Sequence, residues 1–406
     1  MRRLVALLAA LVLVDTMLYT ALTPLLPHLA HELGLSKSRA GVLVAAYAVG
    51  ALVAGFAGGI AATNFGPQRA VLIGLAAMGL SGFGFAFAGG FWTLFAARLL
   101  QGAGSGFTWA GAFAWLLAAT PRERRGQMIG TAMGAATFGA MLGPVVGAVA
   151  ALAGRGVVFG TLAGLSVVLI VWTLQLEPAP YETTAFAAVA RALTNTWFLW
   201  GLLTMTLGAL LFGVLVVLAP LHLSAAGWSA AAIGAVFLAA AGLETVQAPL
   251  SGRLSDRRGP LVPTRIAFAG GAVMSLALAS GARPLVYVPL VVVAGGFFGI
   301  LLTTGFTFLA EGAEDVGLPQ GMAFGLMNVA WAVGAVAGPA AGGAIAGATG
   351  DWVPFVIACA LCATALAALP RGTPRKVIGK ASLATPTEIG RAGSAGAPDK
   401  LGVPGA

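Results

Sequence analysis

Three ionisable side chains sit where an apolar chain can least tolerate them. Asp15, Arg98 and Glu244 each fall inside a long run of apolar residues, and a charge at bilayer depth persists only when it finds a partner or serves a pathway for ions or substrates. A desolvated carboxylate can hold a proton or a cationic ligand, but not both well. Arg98 lies seven residues into its run, roughly 10 Å deep at about 1.5 Å per residue. That depth resembles the depth of Asp15, and allows direct or water-mediated pairing. Glu244 lies in the cytoplasmic half of its own run. Asp15, Arg98 and Glu244 are therefore the candidate proton-coupling set. Tight pairing of Arg98 with Asp15 would leave Glu244 the better carrier, whereas depth favours Asp15. The plainer alternative is buried ion pairing that only fixes packing.

Helical spacing adds polar stripes. Arg98, Gln101, Ser105 and Thr108 share one face, and Asp15, Tyr19 and Thr23 share another. Glu244 and Gln247 extend a stripe from Phe237. Thr304, Thr307 and Glu311 form a fourth, and Phe324, Asn328 and Trp331 a fifth. Tyr19, Tyr47, Phe107, Trp109, Phe237, Phe324 and Trp331 offer ring faces to flat or cationic ligands. These stripes predict a wet cavity lined by Tyr19, Gln101, Ser105, Trp109, Phe237, Gln247, Thr304, Thr307, Phe324, Asn328 and Trp331. The competing reading is that Ser and Thr bond back to their own helices and the aromatics pack or anchor at the interface. His28, His31 and His222 are expected in loops at outer helix ends. Cys359 and Cys362 have C-x-x-C spacing but no neighbouring ligand type, and read as apolar filler.

The elements that must position these groups are membrane helices. Charged residues make up 9% of the chain and mean hydropathy is +0.95, against roughly 25% charged in a soluble domain. Crossing about 30 Å of hydrocarbon takes about 20 apolar residues. Twelve such runs are legible, at 4–27, 40–62, 69–89, 91–118, 127–152, 156–176, 196–220, 230–251, 261–281, 285–309, 320–348 and 352–370. The first follows Met1-Arg2-Arg3 like a secretory signal, yet continues past Asp15 with no clear cleavage site, and is expected to remain as a span. Residues 177–195 read as a cytoplasmic linker and 371–406 as a disordered cytoplasmic tail.

With both termini inside, seventeen Lys and Arg residues fall on the cytoplasmic side and four outside, leaving Arg98 within a span. That distribution accounts for the net charge of +9 without a nucleic-acid partner. The expected location is a plasma (inner) membrane, with both termini cytoplasmic.

The chain also repeats itself. Gly143-Pro144 recurs as Gly338-Pro339 at an offset of 195, and the segment from Gly59 to Gly66 recurs from Gly252 to Gly259 at 193. Two unrelated motifs agreeing on one period imply duplicated halves, with a site between them. The fold expected is an all-α membrane protein of twelve transmembrane helices in two pseudo-symmetric six-helix bundles, residues 1–176 and 196–370. The paired Gly-Pro steps are expected to loosen the backbone at matching places. No phosphate-binding loop, zinc spacing or nucleophile triad is legible, so neither an enzyme nor a cofactor is expected.

These residues resemble the major facilitator superfamily over about 1–370, and within it the twelve-span drug:proton antiporters. Gly252-Arg253-Leu254-Ser255-Asp256-Arg257-Arg258-Gly259 is similar to the family loop motif G-x-L-x-D-R-x-G. Arg98 to Gly104 is similar to R-x-x-Q-G-x-G, and Gly139 to Gly147 to the fifth-span signature of antiporters. Asp15 to Pro27 resembles the first span of vesicular amine carriers and bacterial multidrug exporters. Two positions depart from the pattern: Thr63 and Asn64 replace the usual Asp and Arg of the first loop motif, and Asn328 stands where the amine branch carries an acid. The resemblance implies that Gly143, Pro144, Gly252, Asp256, Arg257, Arg258, Gly259, Gly338 and Pro339 govern conformational change. It implies a monomeric transporter in the lipid bilayer, exchanging protons for an exported lipophilic or cationic small molecule. Proton-coupled uptake, and more distantly a sensor or scaffold, are the alternatives.

Overall fold

The computed structural model describes residues 2–120, 125–178, 187–318 and 320–371. The expected tail beyond 371 and residues 179–186 of the expected linker lie outside the described residues. So do the side chains of Asp256 and Phe324. The described residues form α1 (Arg2–Thr20), α2 (Leu22–Glu32), α3 (Lys37–Asn64), α4 (Pro67–Phe87), α5 (Phe91–Ala119), α6 (Arg125–Ala153) and α7 (Arg155–Leu174). A six-residue α8 (Ala187–Ala192) falls within the expected linker. The second set is α9 (Thr196–Ala225), α10 (Ala230–Arg258), α11 (Leu261–Ala279), α12 (Pro284–Asp315), α13 (Gln320–Thr349) and α14 (Trp352–Ala368).

Each apolar run read from sequence coincides with a helix, or in the first run with two. Ten of these rods are individually long and apolar enough to cross a membrane. α1 and α2 form one rod broken at Ala21, because Pro24 cannot donate to the Thr20 carbonyl. Large apolar side chains cover the outside: Leu285 is 86% exposed, Phe87 79% and Trp92 75%. Only lipid makes such a surface stable. His28 and His31 lie in α2 and His222 in the last turn of α9, so they are helical rather than in loops.

The duplication extends to backbone detail. Ser36 caps α3 by accepting from the Arg39 amide at 3.2 Å, and Ser229, 193 positions later, caps α10 by accepting from Ala232 at 3.2 Å. Gly66 and Gly259 share left-handed φ of 92° and 77°, each just before a proline. Gly34 and Gly227 match in the same way, with φ of 59° and 86°. Helix pairing follows suit. α1 packs on α6 as α9 packs on α13, α3 on α5 as α10 on α12, and α4 on α7 as α11 on α14.

The two repeats meet through α3 with α13 and α6 with α10, pairs that the internal symmetry exchanges. Glycines set these crossings. A Cβ at Gly41 would strike the Pro339 carbonyl, and one at Gly343 the Lys37 carbonyl. A Cβ at Gly234 would lie 3.0 Å from both the Pro144 oxygen and Ala148 Cβ. Lys37 also pairs with Asp351 across the two halves. All these contacts lie at the end of the molecule holding α2. Toward the opposite ends of three of these four helices, a Cβ at Gly134, Gly242, Gly252 or Gly325 would meet nothing within 4 Å.

The Gly-Pro steps do not break their helices: α6 and α13 run continuously through Pro144 and Pro339. Pro144 leaves the Ala140 carbonyl without its helical donor, and the Thr20 hydroxyl donates to that oxygen at 3.1 Å. Gly143 lets Thr20 approach so closely, since a Cβ there would overlap the Thr20 side chain.

Candidate functional site

Close approach of α3 and α5 builds the core of the site. Gly50 and Gly102 bring the two backbones into contact: a Cβ on either would overlap a carbonyl of the other helix, Leu99 or Tyr47 respectively. Small residues one turn apart permit this in lipid. Tyr47 is thereby carried to Ser105, hydroxyl to hydroxyl at 2.7 Å. Gly104 faces the other way, where a Cβ would lie 2.8 Å from the Gly74 oxygen of α4. The motif glycines thus hold α5 between two neighbours.

Asp15 is 1% exposed and is met by three side chains from two helices, α3 and α5. The Trp109 indole Nε1 donates at 2.7 Å, Ser105 Oγ at 2.8 Å, and Tyr47 Oη lies 3.1 Å from Oδ2 and 3.2 Å from Oδ1. Among the described residues, no Lys, Arg or His nitrogen lies within 4.0 Å of the carboxylate. A carboxylate so deep needs compensation, and neutral donors supply it here.

Arg98, 2% exposed, is held separately. Its Nη1 donates to Gln101 Oε1 at 2.6 Å and to the Leu18 carbonyl at 3.3 Å, and Nη2 donates to the Tyr19 carbonyl at 2.7 Å. Its guanidinium lies 4.9 Å from the Tyr47 ring centroid and 5.5 Å from that of Tyr19. Nε is buried without a partner. Tyr47 lies between the two charges, turning its hydroxyl to Asp15 and its ring face to Arg98. The carbonyls of Leu18 and Tyr19 tie Arg98 to the same helix that carries Asp15.

Aromatic rings continue the cluster across to the second repeat. Tyr19 and Tyr47 are 4.7 Å apart, and Trp331 of α13 stands edge-on to both, at 5.5 and 6.5 Å. Ten residues into α3, Tyr47 lies about 15 Å from the α2 end, near the middle of a bilayer.

The other sequence candidates are dispersed. Glu244, on α10, packs within the second repeat against α12, where a Cβ at Gly299 would be 2.8 Å from its Cγ. Gln247, one turn on, donates to the Gly296 carbonyl. Thr304 is fully buried and donates to the Leu301 carbonyl of its own helix at 3.2 Å, and Thr307 to Thr303 at 3.4 Å. Phe237 belongs to the apolar core, and Asn328 is exposed. Arg257 and Arg258 are exposed, and Gly259 ends α10. Sequence reasoning named Tyr47 only as one aromatic among several. Its place one turn before Gly50, which faces α5, is the signal that could have singled it out.

A duplicated helical membrane protein with a buried, donor-held acid beside a contact between its halves has the architecture of a membrane carrier. The chain belongs to the Major Facilitator Superfamily, whose model matches residues 8–319. It is a multi-pass transporter and not an enzyme. Its fold is similar to the crystal structure of a D-xylose-proton symporter, with TM-score 0.71 and 16% identity over 92% of this chain and 97% of that one. It is similar also to the nucleoside transporter NupG, with TM-score 0.70 and 15% identity over 90% and 98%. A probable vesicular acetylcholine transporter-B of Danio rerio is 34% identical over 148 residues, 34% of this chain and 30% of that protein. The match thus spans less than a third of that relative's length.

Proposed function

We propose that this transporter is a proton-coupled antiporter that exports lipophilic, cationic small molecules by alternating access, with Asp15 as the coupling acid. The observation carrying this reading is that Asp15, fully buried, is held by neutral donors, with no cationic nitrogen within 4.0 Å of it among the described residues. Protonation would cancel its charge and release those donors together. Ionised, the group would draw a cation toward the Tyr19, Tyr47 and Trp331 rings. The partial relative named for acetylcholine transport, a quaternary ammonium, supports a cationic substrate.

The domains in this proposal are residues 1–176 and 196–370, joined by a cytoplasmic linker at 177–195 and followed by a cytoplasmic tail at 371–406. The conformation described is closed at the α2 end, which we assign to the outside of the plasma membrane, with both termini inside. Substrate would enter from the cytoplasm onto ionised Asp15. After the halves rock about the α3–α13 and α6–α10 contacts, protonation from outside would displace it. The returning proton supplies the drive; one proton exchanged for one monovalent cation moves no net charge, so the drive is the pH gradient, about 1.4 kcal/mol or tenfold per pH unit. Arg98 positions Asp15 through the α1 carbonyls and Tyr47. Glu244 sits apart, among α10 and α12, and is the lesser candidate.

The test is substrate-driven proton movement in proteoliposomes, measured with internal and external pH dyes. Asp15→Asn is expected to abolish coupling, and Glu244→Gln to preserve most of it. Full coupling in both variants would overturn the scheme, and flux running only inward with the proton would make the protein an uptake symporter.

A further inference from the structure

The second repeat holds a separate cavity at the α2 end, about 290 Å³ in volume. Its walls include His222 from the end of α9, Ser280 after α11, Tyr287 of α12, and Asp351, Trp352 and Phe355 at the start of α14. Tyr287 is 2% exposed, its hydroxyl makes no hydrogen bond among the described residues, and its ring is tilted at 33° against that of His222 with centroids 4.3 Å apart. The Tyr287 hydroxyl oxygen is not among the fully buried unpartnered side-chain atoms, so it opens onto the cavity. The one acid of the cavity, Asp351, already contacts Lys37, which belongs to the other repeat.

One carboxylate, an open phenol, an imidazole and two further aromatic rings make a set that recognises a compact cation. A metal ion would want more oxygen ligands than this wall offers, and an anion would meet Asp351. We infer that this cavity binds a small organic ammonium group on Asp351, and that the bound ammonium and Lys37 compete for that carboxylate. Because Lys37 starts α3 and Asp351 precedes α14, occupancy removes an ionic link between the two halves at their closed end. The site is thus a peripheral control point for opening, distinct from Asp15 and independent of which substrate crosses. The ammonium can come from a free amine or from the ethanolamine headgroup of a neighbouring lipid.

The experiment titrates phenethylammonium onto the full-length protein, purified in detergent and stripped of lipid, and follows binding by saturation-transfer NMR. Asp351→Asn is expected to weaken binding at least about tenfold, since it removes the charged partner. Lys37→Gln is expected to tighten it several-fold by freeing the carboxylate, a direction that mere damage to the fold would not produce. Asp15→Asn is expected to leave this binding unchanged, which separates the site from the transport reading. Absence of binding to the wild type, or unchanged or weaker binding in Lys37→Gln, would overturn the inference whether or not Asp351→Asn folds. The source is read in nanodiscs at about 0.5 M salt, where surface charge is screened. Weaker phenethylammonium binding in phosphatidylethanolamine than in phosphatidylglycerol assigns the site to the headgroup, and equal binding assigns it to the free amine.

Discussion

The indole of Trp331 on α13 meets the ring of Tyr19 on α1 edge-on, with centroids 5.5 Å apart. That contact joins the two repeats directly above the residues that hold Asp15 and Arg98. Trp331 therefore touches the inter-half seam and, through Tyr19 and Tyr47, the buried charges. A change at the acid has a short physical route to the seam.

Trp331→Ala should weaken the closed conformation by about 0.5–1.5 kcal/mol, the worth of an aromatic pair beyond its area. The readout is cross-linking between cysteines placed at Ser38 and Gly347, positions that approach at the closed end, in a background with Cys359 and Cys362 replaced by Ala. Cross-link yield should fall relative to the parent. An unchanged yield would show that the ring contact does not help hold the halves together.

Tyr47→Phe keeps the ring under Arg98 but removes the hydroxyl beside Asp15. A hydrogen bond to a charged group is worth about 1.5–3 kcal/mol, so coupled proton flux should drop by roughly tenfold or more at near-normal expression. Tyr47→Ala should be worse, because Arg98 then loses the ring as well. Equal behaviour of the two variants would refute the divided role assigned to this side chain.

Thr20→Val should lower thermal stability in detergent, since it strips the donor from the Ala140 carbonyl that Pro144 leaves open. The expected cost is about 1–3 kcal/mol. In Pro144→Ala the helix supplies its own donor, so Thr20→Val should cost much less in that background. A double-mutant cycle with no coupling would sink this account.

Gly41→Ala places a methyl group on the Pro339 carbonyl, so the α2 end cannot close as described. The Ser38–Gly347 cross-link should be lost and the Asp15 site should become reachable from that side. Gly134→Ala, where a Cβ meets nothing within 4 Å, should behave like the parent. If both substitutions act alike, the glycine contact is not the latch.

Lys37→Gln should make the closed end insensitive to added salt, whereas the parent should lose cross-link yield as salt screens the partly exposed Lys37–Asp351 pair. The expected effect is below about 1 kcal/mol, in keeping with surface pairs generally. The comparison is cross-link yield across a salt series.

Sequence alone determined the solvent, the duplication and the depth of the unusual charges, because each is a local property of composition, run length or period. The repeated Ser and Gly caps at an offset of 193 followed from that same period. Only the tertiary structure decided which polar residues meet. Ser105 meets Asp15 and Gln101 meets Arg98, while Thr304 and Thr307 turn back onto their own helix, although their spacing looked equally suggestive. The difference lies in helix rotation, which is fixed by where glycines let two backbones touch. A stripe on one helix carries no record of the partner it will face, so Tyr47 became the hub through Gly50 and Gly102, more than fifty residues apart in the chain.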